Sequence, residues 1–112
     1  MRDTERHRRK LRQAVAWLRR NGYTRFAREV EVKTEGKVFF VDLVAVKGRE
    51  VSAVEVGECS EEKLRALTRE FSSVIHFPYH GKVKVIEGSG SGWEWLRRHI
   101  GKRKVVAVLG KA

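Results

Sequence analysis

The chain has 112 residues and a formal net charge of +11, from 25 Lys and Arg against 14 Asp and Glu. That length suits a single domain with one modest core, and no run approaches the roughly 18 apolar residues of a membrane span. The single cysteine, Cys59, excludes an internal disulfide and a multi-cysteine zinc site, and it fits a reducing cytoplasm. The positive excess asks for a polyanionic partner: nucleic acid first, DNA ahead of RNA, with an anionic membrane surface a distant second, and the expected partners include no membrane. The charged N-terminus lacks the apolar stretch of a secretory signal. Charged residues make up 35% of the chain, while Gln13 and Asn21 are its only side-chain amides. Thermophiles favour that composition, and it fits a hyperthermophilic archaeon or one of its viruses.

In chain order, residues 4–20 read as a helix. Leu11, Ala14, Val15 and Leu18 recur at helical spacing. Asp3 or Thr4 caps the start, and Asn21-Gly22 ends it. Arg8, Arg9, Arg12, Arg19 and Arg20 lie on the other faces, denser than solubility requires, and are expected to contact phosphates. Three antiparallel strands are expected at 26–33, 38–46 and 51–57, joined by tight turns at Glu35-Gly36 and Gly48-Arg49.

Ser60 then caps a second helix with Glu61 and Glu62 in its first turn. The apolar run Val74-Ile75-His76-Phe77 reads as a buried strand parallel to the third, reached by a right-handed crossover. Residues 82–87 read as a further strand. The run Gly88-Ser89-Gly90-Ser91-Gly92 reads as a flexible linker, with phosphate contact through its bare amides as the alternative. A third helix is expected around Trp93, Trp95, Leu96 and Ile100, and a last strand at 105–109. Arg97, Arg98, Lys102 and Arg103 form a second group of expected phosphate contacts.

Two carboxylates interrupt the apolar strands. A hairpin turning at Gly48-Arg49 sets Asp42 directly opposite Glu55, with Cβ atoms about 4.5–5.5 Å apart on one face. A turn at Glu35-Gly36 sets Glu29 opposite Asp42, making a row of three acids. Like charges placed so close destabilise a sheet, and a divalent cation is the natural way to neutralise them. Pairing with Arg25 or Arg28 is the structural alternative. His76 and His80 read more readily as structural or solvated than as metal ligands, and Tyr79 and the tryptophans as core or interface.

Over residues 5–80 the chain resembles the PD-(D/E)XK nuclease superfamily, the restriction-endonuclease-like fold that includes archaeal Holliday-junction resolvases. The resemblance rests on the opening helix, the Val41-Asp42-Leu43-Val44-Ala45 strand, the Ala53-Val54-Glu55-Val56 strand and the helix after Ser60. It implies a three-layer α/β core, a mixed sheet flanked by helices in the order α-β-β-β-α-β. It also implies that Asp42 and Glu55 bind Mg²⁺ or Mn²⁺ and are catalytic in DNA phosphodiester hydrolysis, in a structure-specific and dimeric enzyme. The family's lysine, two residues past the glutamate, is Gly57 here, and the acid of the first helix is Leu11. Lys63 or Lys33 are the candidate substitutes for the lysine, and Glu29 is the candidate third acid. A lysine at position 57 would share the face of Glu55 by strand alternation. Two other readings stay open: an inactive nuclease-fold domain that binds nucleic acid, or one that binds a protein partner.

Overall fold

Helix α1 (Glu5–Arg20) begins where Thr4 turns its hydroxyl to accept the His7 amide at 3.1 Å. That cap satisfies one of the orphan donors of the first turn. Arg19 and Arg20 occupy the last turn, where cations suit the helix dipole. Leu11, Ala14 and Leu18 are buried along one stripe. The computed structural model describes residues 4–95. The expected last strand, most of the expected third helix, and Asp3, Arg97, Arg98, Lys102 and Arg103 lie outside the described residues; residues 93–95 are helical.

Five strands follow in a mixed sheet of order β1-β2-β3-β4-β5. Strands β1 (Arg25–Thr34), β2 (Lys37–Lys47) and β3 (Glu50–Val56) form an antiparallel meander. Both turns are the two-residue turns expected. Glu35 and Gly36 have φ of 54° and 73°, and Gly48 has φ of 60°, which matches the twist of a hairpin. After α2 (Glu61–Glu70), strand β4 (Ser73–Phe77) lies parallel to β3, and β5 (Lys84–Glu87) closes the sheet antiparallel to β4.

The core has two halves, one on each face. Leu11, Ala14 and Leu18 of α1 pack with Leu43, Ala45, Val54, Val56 and Ile75. Leu67 of α2 packs with Phe71, Val41, Val44, Val51, Ala53 and Val74. Along β3, Val51 and Ala53 go to the α2 side and Val54 and Val56 to the α1 side, the alternation a sheet covered on both faces requires. The architecture is therefore α/β with helices on both faces of a five-stranded mixed sheet.

The register is the one expected, but the faces are not. Val41 lies under α2 and Leu43 under α1, although residues two apart on a regular strand share a face. Strand β2 turns over at Asp42. Strand β1 turns over at the same level, at Glu29, whose φ is +52°. Because both strands turn together, the pairing stays in step on either side: Arg28 opposite Leu43 and Val30 opposite Val41. Lys33 is consequently exposed and does not share the carboxylate face.

The Gly88–Gly92 run is not a flexible linker. The amides of Gly88, Ser89 and Gly90 donate to the carbonyls of Ser72, Thr68 and Phe71 at 2.8–3.1 Å. They satisfy carbonyls that the end of α2 leaves open. Nor are these three amides open to a phosphate. A Cβ on Gly92 would stand 2.7 Å from the Phe71 ring, so the segment is a packed seam. Among the described residues no helix is long and apolar enough to cross a membrane.

Candidate active site

The site forms where β2 and β3 part. Their ladder runs from Lys47–Glu50 to Leu43–Val54 and stops there. Beyond it the two acids replace backbone pairing. The Asp42 amide donates to Glu55 Oε2 at 3.1 Å, and the Val56 amide donates to Asp42 Oδ2 at 2.8 Å. Asp42 and Glu55 thus meet as the register requires, each carboxylate accepting from the other's strand. Neither Arg25 nor Arg28 neutralises Glu55. That cation is Lys63, from the first turn of α2.

Lys63 Nζ donates to Glu55 Oε1 at 2.8 Å and to the Phe40 carbonyl at 2.7 Å. Its own amide is held by the capping hydroxyl of Ser60 at 3.1 Å. A cation in the first turn of a helix opposes the dipole, at a cost of about 0.3–1 kcal/mol. The buried Glu55 carboxylate accounts for its place. Glu55 is 1% exposed. Burial holds its carboxyl above the usual range and the Asp42 charge pushes the same way, while Lys63 and the Asp42 amide oppose them. Cys59 is half-buried beside Glu55, and desolvation, followed by the Glu55 charge, pushes its thiol up to about 12. Such a thiol is a poor nucleophile.

On the other side of Asp42 stands His7 of α1. Its Nε2 lies 3.5 Å from Asp42 Oδ1, and its Nδ1 lies 3.1 Å from the Tyr79 hydroxyl. Nε2 therefore faces a carboxylate oxygen, which can only accept, while Nδ1 faces a hydroxyl that can donate or accept. Arg6 covers the Tyr79 ring at 3.9 Å from its centroid. Neither His7 nor Tyr79 was anticipated as a site residue. For His7 a signal existed: it precedes Leu11, Ala14 and Leu18 at i, i+4, i+7 and i+11, so it falls on the buried stripe of an otherwise apolar helix face.

Gly57 explains Tyr79. Its φ is +90°, and a Cβ there would lie 2.7 Å from the Tyr79 ring. The ring occupies the space a side chain at 57 would need, so a lysine there would not follow Glu55 onto its face. His76 donates from Nε2 to the Gly57 carbonyl at 2.6 Å, a structural role, and His80 is exposed.

A cleft of about 450 Å³ opens at the parted strands, lined by His7, Leu11, Arg28, Glu29, Phe40 and Asp42. Glu29 is exposed on this rim, while Asp42 is the innermost acid of the lining. The structure therefore brings Asp42, Glu55 and Lys63 together and leaves Glu29 at the margin. Among the described residues no group of three or more His, Cys, Asp or Glu side chains converges as a metal-holding cluster. Arg8, Arg9, Arg12, Arg19 and Arg20 are all exposed on α1. No protein-family model matches this chain, and no curated protein matches it.

Proposed function

We propose that the domain is a metal-dependent nuclease of the restriction-endonuclease-like type, in which Lys63 stands in for the lysine missing at Gly57. The observation that carries this reading is the convergence of two acids and one ammonium where β2 and β3 part, with Lys63 Nζ 2.8 Å from Glu55 Oε1 and Asp42 lining the adjoining cleft. The element order and the location of the acids on β2 and β3 support the same reading. So does the basic α1 beside the cleft.

The donor set suits one kind of ion. Two carboxylates that meet across β2 and β3 are hard oxygen donors of the kind Mg²⁺ or Mn²⁺ takes. Mg²⁺ keeps several waters and shares its shell with substrate phosphates. Asp42 and Glu55 would hold the ion, which when bound supplies Lewis acidity and charge neutralisation at a phosphodiester. The chain's own residues do the rest. Lys63 fixes one oxygen of Glu55, the Val56 amide fixes one oxygen of Asp42, and His7 stands against the other. The left-handed backbone of Glu29, a strained conformation for a residue other than glycine, lies on the rim of the cleft.

The test is cleavage of plasmid, single-stranded and branched DNA in Mg²⁺, Mn²⁺ and EDTA. Wild type should cut in metal only, Asp42→Asn should be inert, and Lys63→Met should lose about 10²–10⁴-fold, the usual contribution of a water-orienting or general-base group. Wild type inert on every DNA and RNA form would sink the nuclease reading. One observation favours a second reading in that event: Lys63 already neutralises Glu55. The domain would then be a binding module in which the ammonium replaces the metal.

A further inference from the structure

We infer that the groove between α1 and β1 is a track for single-stranded nucleic acid that leads to the Asp42 cleft. This deepens the nuclease reading and rests on it for the destination of the strand. The groove holds about 590 Å³ and is continuous with the cleft, since Leu11 and Arg28 line both.

Its walls and floor differ in chemistry. Arg8, Arg12 and Arg19 project from one face of α1, and Arg28 faces them from β1. From Arg8 to Arg19 the helix advances about 16 Å at about 1.5 Å per residue, enough to follow a backbone over a few nucleotides. Among the described residues that line this groove none is acidic, in contrast to the cleft it joins. The floor is apolar and contains Leu11 and the half-buried ring of Phe26, with the Arg19 guanidinium 5.6 Å from the ring centroid.

Arginines alone would suit any polyanion. The floor narrows the choice. A duplex keeps its bases stacked inside and offers only phosphates to a groove of this kind. A single strand offers both phosphates and bare base faces, and proteins that bind it combine a basic groove with aromatic platforms. Phe26 is such a platform: the exposed Arg19 side chain over its ring would swing aside to let a base stack there, its guanidinium then free to meet a phosphate.

Fluorescence anisotropy in EDTA, with a labelled single strand and a duplex of equal length, separates this inference from the cleavage reading. Wild type should bind the single strand at least about tenfold more tightly. Phe26→Leu keeps an apolar floor but removes the π face. It should weaken single-strand binding by about 5- to 150-fold, the range of a lost base stack, and leave duplex binding unchanged. Arg12→Ala, at an exposed position, should weaken both and flatten the log–log salt dependence by about 0.7 on the single strand. Equal affinity for the two forms, loss of both in Phe26→Leu with an unaltered melting curve, or indifference to both oligonucleotides would overturn the track. Preferential single-strand binding without cleavage would keep the track and discard the nuclease. Cleavage by a protein that binds duplex equally well would do the reverse.

Discussion

Glu55 lies between a carboxylate and an ammonium, 1% exposed, and its carboxyl titrates above the ordinary range because burial and Asp42 outweigh Lys63. A raised pKa in the folded state means that folding binds the proton more tightly. The contribution to stability is then fully present below the unfolded pKa, near 4.3, and is lost as pH rises through the folded value. Stability measured by urea unfolding should therefore carry a component that declines above about pH 4.3. Glu55→Gln should lack it, so the difference between the two proteins should change with pH in that window and level off above it. A constant difference from pH 4 to 8 would show that Lys63 compensates Glu55 fully. At this scale the sequence was informative about charge and blind to space-filling. Asp42 and Glu55 stood out as acids in apolar runs, and Lys63 as the lysine that could reach back to them from the following helix. Tyr79 filling the place of a side chain at Gly57 depends on a contact across 22 positions of chain, which no local pattern carries.

At the scale of elements, turn chemistry and alternation were enough for the meander, its register, the crossover helix and the parallel β4. The turnover at Glu29 and Asp42 was harder to read. In β1 it left a trace: Ala27 and Val30 are three apart, and Arg28-Glu29 breaks the alternation. In β2 the trace is erased, because both faces are buried and the run is apolar on either parity. The Gly88–Gly92 seam was misread for a related reason. Glycine marks flexibility and close backbone approach with the same letter, and here the approach is to the backbone at the end of α2. Gly90→Ala would drive a methyl into the Arg69–Glu70 backbone. It should lower stability by about 1–3 kcal/mol, as overpacking does. Ser89→Ala, at an exposed position whose amide bond is retained, should melt like wild type. Equal melting temperatures for the two variants, followed by circular dichroism, would mean that the seam opens at little cost.

At the scale of the whole molecule, charge acts on folding and on binding with opposite signs. The chain carries +11. Part of the excess lies on α1 and part on Arg97, Arg98, Lys102, Arg103, Lys104 and Lys111, outside the described residues. The described part measures 35 × 33 × 26 Å. At about 10 mM salt the screening length is about 30 Å, so charges repel across the whole body; at about 150 mM it is about 8 Å, and only neighbours interact. A large net charge destabilises the compact state through self-repulsion, while the exposed pairs Lys37–Glu62 and Arg69–Glu35 contribute little. Raising NaCl over this range should therefore raise the melting temperature, whereas affinity for any polyanion should fall along a straight log–log line. A short polyphosphate added at low salt should reproduce the stabilisation at far lower concentration, by mass action on the folded state. A melting temperature that falls with NaCl would instead show that ion pairs on the surface outweigh the self-repulsion of the net charge.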